Sequence, residues 1–122
     1  MKVTNRTIFE CQRALPKLAR QPLVGKTSYW VGRYVERISR LIKSIDAERM
    51  ELVKKYGTKN DQGITVEDDK MPDFTKDFDT ILDTEIEIDI KKIAFEQLGN
   101  IQLSGEEAVA LSFILEEPKE NA

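Results

Sequence analysis

The sequence of 122 residues contains no histidine. Histidine is the commonest general base at neutral pH and the commonest side-chain ligand of transition metals. Catalysis or metal binding in this chain would have to use carboxylates, lysine or tyrosine instead. The acidic residues follow the surface periods of helices and strands, and nothing in the sequence marks a buried acid with a raised pKa. We therefore expect no enzymatic activity, no cofactor and no metal site.

Cysteine is almost as scarce, since Cys11 is the only one in the chain. It lies on an apolar helical face and has no partner for an internal disulfide, which predicts a small core residue and not a nucleophile. The chain also lacks an apolar run near the length of about 20 residues that a membrane span needs. Its first residues lack the apolar region of a secretory signal. These features predict a cytoplasmic protein with no membrane contact.

Arginine is missing from the second half of the chain. Residues 1–60 carry 14 lysines and arginines against 5 acids, a balance of +9, whereas residues 61–122 carry 5 lysines against 17 acids, a balance of −12. A division of this kind predicts interactions and not a fold. Two interpretations follow from it. Either the two halves pack together and neutralise each other, or they project apart and drive head-to-tail or partner contacts.

One long periodic segment organises the chain between residues 27 and 57. Its apolar residues recur at steps of three and four, as on one face of an amphipathic helix. Thr27 or Ser28 is the expected N-cap, and Gly57 is expected in the left-handed position after the last turn. A helix of about 29 residues is about 44 Å long, whereas a globule of this size is about 35 Å across. We therefore expect the helix to project or to pack along a partner.

The remaining segments predict shorter elements on either side of this helix. A first helix over residues 5–20 should break near Leu15, because Pro16 lacks an N–H group and clashes with the preceding turn. Together with the long helix it should form a helical hairpin. Later in the chain, the alternation of residues 84–90 predicts a half-buried strand, and Ser104 begins a capping box for a last helix. We further predict a strand at 64–66, a helix at 73–83, a helical turn at 95–98 and a strand at 101–103.

These elements define an α+β fold in a single domain over residues 1–115. Residues 1–60 form its basic helical hairpin. Residues 61–115 form a small acidic α+β half with two or three short strands and two helices, and residues 116–122 are expected to be a frayed acidic tail.

Three sets of residues are candidate binding sites. The first is an acidic face expected to contact a partner protein, since charge complementarity favours fast and specific association; its members are Asp77, Asp83, Glu85, Glu87 and Asp89. The second is an aromatic and apolar set on the long helix, expected to form an oligomer or aromatic contact: Trp30, Tyr34, Ile38, Leu41 and Ile45. The third is a basic stripe that could follow nucleic-acid phosphates: Arg33, Arg37, Arg40 and Lys43. An exposed Trp30 would distinguish a binding surface from a core.

Four short segments resemble a family of short uncharacterised proteins encoded by phages and prophages. They are the opening Met-Lys-Val-Thr-Asn, Leu-Pro-Lys-Leu-Ala-Arg at 15–20, Lys-Lys-Tyr-Gly at 54–57 and Leu-Asp-Thr-Glu-Ile-Glu-Ile-Asp-Ile at 82–90. The resemblance covers most of residues 1–115 and carries no catalytic motif. It implies a phage or prophage protein in the cytoplasm of a bacterial host.

The function expected from all these features is binding to another protein, of the host or of the phage, without catalysis. The acidic face could occupy the basic groove of a host defence nuclease and inhibit that enzyme. One alternative is a self-assembling phage structural or assembly protein, a homo-oligomer that uses the long helix. The second alternative is a nucleic-acid-binding module that uses the basic stripe.

Overall fold

The computed structural model describes residues 1–118, and the predicted frayed tail lies outside the described residues from position 119 onward. The fold is α+β, as the sequence predicts. The elements in chain order are β1 (Lys2–Thr4), α1 (Asn5–Glu10), a 3-10 turn (Cys11–Arg13), α2 (Leu15–Arg20), α3 (Gly25–Tyr56), β2 (Gly57–Asn60), β3 (Gly63–Val66), α4 (Met71–Leu82), β4 (Glu85–Glu87), a second 3-10 turn (Phe95–Leu98) and α5 (Gly105–Ala110).

The first helical segment is divided in two, as the proline predicts. The Oγ1 atom of Thr4 accepts a hydrogen bond from the backbone nitrogen of Thr7 at 3.2 Å and caps α1. The chain then passes through the 3-10 turn, and Pro16 lies within the first two positions of α2. Proline is tolerated there because the first N–H groups of a helix have no partner within it. Both short helices pack against α3, which gives the predicted hairpin.

Helix α3 is longer than predicted and begins earlier. Its N-cap is Val24 in an extended conformation, with no side-chain hydrogen bond to the first turn, so the prediction of Thr27 or Ser28 as the cap is wrong. The first hydrogen bond of the helix runs from the nitrogen of Ser28 to the carbonyl oxygen of Val24 at 3.1 Å. Its 32 residues span about 48 Å at 1.5 Å per residue. The two short helices pack along α3, and α4 and the β2–β3 hairpin pack along it as well.

Gly57 does not take the predicted left-handed conformation. Its φ of −87° and ψ of 158° are those of an extended residue, because it starts β2 and pairs with Val66 of β3. The position still requires glycine for reasons of space: a Cβ atom would lie 2.3 Å from the carbonyl oxygen of Val53 and 2.3 Å from Cγ2 of Ile64. The predicted strand at 64–66 is confirmed. Its partner β2 has no apolar alternation and was therefore not predicted.

A second two-stranded sheet joins the start of the chain to its acidic half. Strand β1 runs antiparallel to β4, and Val3 is opposite Ile86. The strand predicted over 84–90 is confirmed, although its regular part covers only Glu85–Glu87. The predicted strand at 101–103 is wrong: Ile101 and Leu103 are half-buried against the core without strand pairing. Their alternation therefore reflects burial alone.

The acidic half contributes two helices to the fold, as predicted. Helix α4 turns Phe74, Phe78 and Leu82 towards the rest of the protein. Ser104 and Glu107 form the predicted capping box of α5, with reciprocal hydrogen bonds of 2.8 and 3.1 Å. The hydrophobic core is continuous across the basic and acidic halves, and its fully buried side chains are Ile8, Cys11, Leu18, Ile38, Leu98, Leu111 and Ile114.

Candidate functional site

Ion pairs connect the two oppositely charged halves of the chain. Nζ of Lys17 lies 2.8 Å from Oε1 of Glu107. Nη2 of Arg6 lies 3.2 Å from Oδ1 of Asp79 and 3.1 Å from Oδ1 of Asp83. These contacts favour the interpretation in which the halves pack together and neutralise part of their charge. Each pair is exposed to solvent, so it adds little stability by itself.

The alternating residues of β4 and the segment after it divide between core and surface. Ile88 and Ile90 are buried, whereas Glu85, Glu87 and Asp89 are exposed. The row of acids predicted from the sequence therefore projects from a backbone that the isoleucines fix in the core. Because this backbone is held, the side chains of the row start from defined relative positions.

Three of the five residues of the predicted acidic face have partners within the chain. Asp77 accepts a hydrogen bond from Oη of Tyr56 at 2.5 Å, and Asp83 contacts Arg6. Oε1 of Glu87 lies 2.7 Å from the amino nitrogen of Met1. These three carboxylates are therefore already occupied by contacts within the chain. Within the described residues, Glu85 and Asp89 are the members of the face without an ion pair.

The aromatic and apolar set on α3 is divided between the core and the surface. Tyr34, Ile38 and Ile45 are buried in the protein's own core, so these three side chains are not exposed to a second copy of the chain. Leu41 is half-buried against the same core. Trp30 is 44% exposed, as a residue of a binding surface would be. The periodicity of the apolar residues does not predict which members of the set are exposed, because Trp30 lies at the margin of the apolar stripe.

The basic stripe on α3 is partly occupied by contacts within the chain. Arg37 donates to the carbonyl oxygen of Asp89 at 2.5 Å, and Arg40 pairs with Glu36 one turn away. Arg33 and Lys43 are exposed. Two of the four cations of the stripe, Arg37 and Arg40, therefore already have partners within the chain.

A cleft of about 630 Å³ separates the N-terminal part of α3 from the chain that follows β4. We call it the α3 cleft, and its charged and aromatic lining residues are Lys26, Trp30, Tyr34, Arg37, Asp89, Lys91, Lys92 and Glu116. Sequence reasoning did not find this site. The signal in the sequence was Lys91-Lys92, the one pair of adjacent cations in the acidic half.

Hydrogen bonds across the α3 cleft hold its two walls together. The backbone nitrogen of Lys91 donates to Oη of Tyr34 at 3.2 Å, and Arg37 contacts Asp89 as described above. Behind this wall, the backbone nitrogen of Ile93 donates to the carbonyl oxygen of Ile114 at 2.8 Å. These contacts fix the separation of the walls, so the cleft is formed before any ligand binds.

A larger cavity of about 700 Å³ lies beside the β1–β4 sheet and is mostly apolar. Val3, Phe95 and Phe113 contribute to its walls, and Pro118 lies at its border. Its charged lining residues are of both signs: Lys2, Lys92, Glu85, Glu116 and Glu117. The α3 cleft differs from this cavity because cations outnumber acids in its lining and because the exposed ring of Trp30 lies beside them.

The side chain of the single cysteine lies in the hydrophobic core. Cys11 is fully buried, which raises the pKa of its thiol to about 12, so the prediction of a core residue is confirmed. In the part of the chain that the structure describes, no three metal-ligating side chains are grouped as a metal site would require. Among residues 1–118, no helix has the length and apolar character needed to cross a membrane.

Comparison with known proteins adds no further constraint on the site. No protein-family model matches the chain, and neither the curated proteins nor the solved structures include a match to it.

Proposed function

We propose that this protein acts by binding another protein through its acidic face, without catalysis. The observation that carries the proposal is the row of exposed acids Glu85, Glu87 and Asp89 on a backbone fixed by buried isoleucines. Because the backbone of this row is already ordered before binding, the side chains alone lose conformational entropy when the row meets a partner. This favours a rigid charged contact over a disordered acidic tail.

The chemistry of this row indicates a basic partner surface. Carboxylates at alternate strand positions lie on one side, with a spacing near two residues of an extended chain, about 7 Å. Lysines or arginines lining a nucleic-acid groove would offer complementary charges. The ion pair of Glu87 is exposed, so a partner's cation can replace its present contact at little cost.

The resemblance to phage and prophage proteins supports a setting for this activity. We propose that the protein is a phage or prophage accessory protein in the cytoplasm of a bacterial host, and that it inhibits a host defence nuclease by occupying its nucleic-acid groove. Long-range attraction between an acidic inhibitor and a basic groove also speeds association, and this effect weakens as salt rises.

The test compares two triple variants with an equal change of charge. The variant Glu85→Gln, Glu87→Gln, Asp89→Asn removes the acidic row. The control Asp61→Asn, Asp68→Asn, Asp69→Asn removes exposed acids from the β2–β3 turn and the loop before α4. Each protein is immobilised and exposed to bacterial lysate at low and at high salt, and captured proteins are quantified by mass spectrometry. Purified captured nucleases are then assayed with each variant.

We expect the wild type and the control to capture and inhibit the same nuclease, and the acidic-row variant to lose at least about tenfold in affinity, equivalent to about 1.4 kcal/mol. Circular dichroism should show the same thermal unfolding for both variants, which excludes misfolding as the cause. Equal capture by the two variants would rule out the acidic face as the contact. Failure of the wild type to bind or inhibit any nuclease would rule out the inhibitor.

A further inference from the structure

The charge of the α3 cleft differs from that of the protein as a whole. The chain has a net charge of −3, yet four cations and two acids line this cleft. Lys26 and Arg37 belong to α3, and Lys91 and Lys92 come from the opposite wall. A cleft of about 630 Å³ is within the range of typical small-molecule sites. Its excess of positive charge selects an anionic ligand.

The cleft also has an aromatic wall. Trp30 is 44% exposed, and its ring centroid lies 6.1 Å from that of Tyr34 at an interplanar angle of 34°. The buried Tyr34 ring is fixed by the hydrogen bond between its hydroxyl group and the backbone nitrogen of Lys91. Tyr29 also contacts this indole edge to face, with ring centroids 5.3 Å apart and an interplanar angle of 81°. The exposed part of the indole is a surface on which a flat ring can stack. The ligand that fits this wall contains an aromatic ring.

Lys26 and Trp30 follow one another along α3. Lys26 is one helical turn before Trp30, which corresponds to about 6 Å along the axis. The first turn of α3, which includes Lys26, has no side-chain cap, so its positive helix end adds to the field of the lysine. Lys91 and Lys92 line the same cleft from the opposite wall, where the backbone nitrogen of Lys91 contacts the hydroxyl group of Tyr34.

We propose that the α3 cleft binds a nucleotide, with the base stacked on Trp30 and the phosphate held by Lys26, Lys91 and Lys92. Such a ligand is a free nucleotide or one nucleotide of a single strand. The site goes beyond the proposed function, because Glu85 and Glu87 of the acidic face do not line it, although Asp89 belongs to both surfaces. A variant of Glu85 and Glu87 alone therefore tests the acidic face separately from the cleft.

The first experiment uses Trp30, the only tryptophan in the chain, as an intrinsic reporter. Its fluorescence is followed while nucleoside monophosphates with each of the common bases are added. The corresponding unphosphorylated nucleosides and inorganic phosphate are titrated in parallel. We expect saturable quenching by at least one monophosphate, with at least about tenfold weaker binding of its nucleoside and of phosphate alone. The absence of saturable quenching, or equal binding of phosphate alone, would overturn the proposal.

The second experiment assigns the binding to the lysines of the cleft. The variant Lys91→Gln, Lys92→Gln is compared with Lys70→Gln, Lys76→Gln, which removes two exposed lysines from the same half of the chain. We expect the first variant to bind the monophosphate at least about tenfold more weakly and the second to bind like the wild type. Equal affinities of the two variants would overturn the assignment of the phosphate to this cleft.

A third comparison distinguishes the two sources of the ligand. A strand would extend beyond the cleft and contact Arg33, which is exposed on the same helix. If the ligand belongs to a strand, short single-stranded DNA or RNA should bind more tightly than the monophosphate, and Arg33→Gln should weaken only the strand. If the ligand is a free nucleotide, the strand and the monophosphate should bind with equal affinity, both to the wild type and to Arg33→Gln. Glu85→Gln, Glu87→Gln should leave this binding unchanged, so failure of the acidic face is measured independently.

Discussion

Oη of Tyr56 lies 2.5 Å from Oδ2 of Asp77, and this hydrogen bond joins the last turn of α3 to the middle of α4. Nζ of Lys55 lies 3.7 Å from the same carboxylate oxygen. The bond to Asp77 raises the pKa of the Tyr56 hydroxyl above its usual value. Asp77 therefore connects the basic and acidic halves, and its carboxylate is already occupied before any partner binds.

We predict that Asp77→Asn lowers the pKa of Tyr56 towards 10.0, the usual value of a tyrosine hydroxyl. Because the folded-state pKa is raised, the stability that this bond contributes is present below the unfolded pKa and is lost as pH rises through the folded pKa. Tyrosine absorbance and thermal unfolding should be followed through the alkaline range. Asp73→Asn, in the first turn of the same helix, is the control. An unchanged pKa in Asp77→Asn would contradict the prediction.

We predict the opposite pH dependence for the stability that the contact between Lys17 and Glu107 contributes. The hydrogen bond from Lys17 is the main cause of the lowered pKa of the Glu107 carboxyl group. Its contribution to stability is therefore present above the unfolded pKa and is lost as pH falls through the folded pKa. Lys17→Gln should raise the pKa of Glu107 towards 4.5 in a carbon-detected NMR titration. Lys43→Gln should not, since Lys43 is exposed on another element; equal shifts in both variants would refute the assignment.

Two glycine substitutions should change stability in opposite directions. Gly57→Ala places a Cβ atom 2.3 Å from the carbonyl oxygen of Val53, so we expect a loss of about 1–3 kcal/mol in the free energy of unfolding. Gly32→Ala has open space around its Cβ position within α3 and should add about 0.5–1 kcal/mol. Urea denaturation measures both. A Gly57→Ala protein as stable as the wild type would contradict the crowding at β2.

Ile38 distinguishes a core position from an oligomer contact. Its side chain is completely buried within the chain, so Ile38→Ala should cost about 2–5 kcal/mol in the free energy of unfolding. The loss should be the same at all protein concentrations, because no second copy is needed to bury this residue. Leu41→Ala, at a half-buried position, should cost less. The free energy of unfolding and the solution mass by light scattering are measured across a range of protein concentrations. A loss that depends on concentration would show that Ile38 contacts a second copy of the chain.

The amino-acid sequence determined those features that depend on local periodicity and on single-residue chemistry. The three- and four-residue steps of the apolar side chains determined α3 and α4. Pro16 determined the break in the first helical segment, since it lacks an N–H group whatever surrounds it. Ser104 and Glu107 determined where α5 begins, because a capping box uses only residues of its own turn. Alternation likewise determined the inward isoleucines and the outward acids around β4.

Only the tertiary structure decided the features that depend on residues far apart in the chain. Strand β1 exists because β4 offers it a partner more than eighty residues later, and three residues carry no periodic signal of their own. Gly57 became extended because β3 pairs with it. Likewise, the α3 cleft exists because Tyr34 and Arg37 hold the chain at Lys91 and Asp89 against α3. Long-range packing also decided which aromatic side chain is buried, since periodicity gives the direction of a side chain but not what covers it.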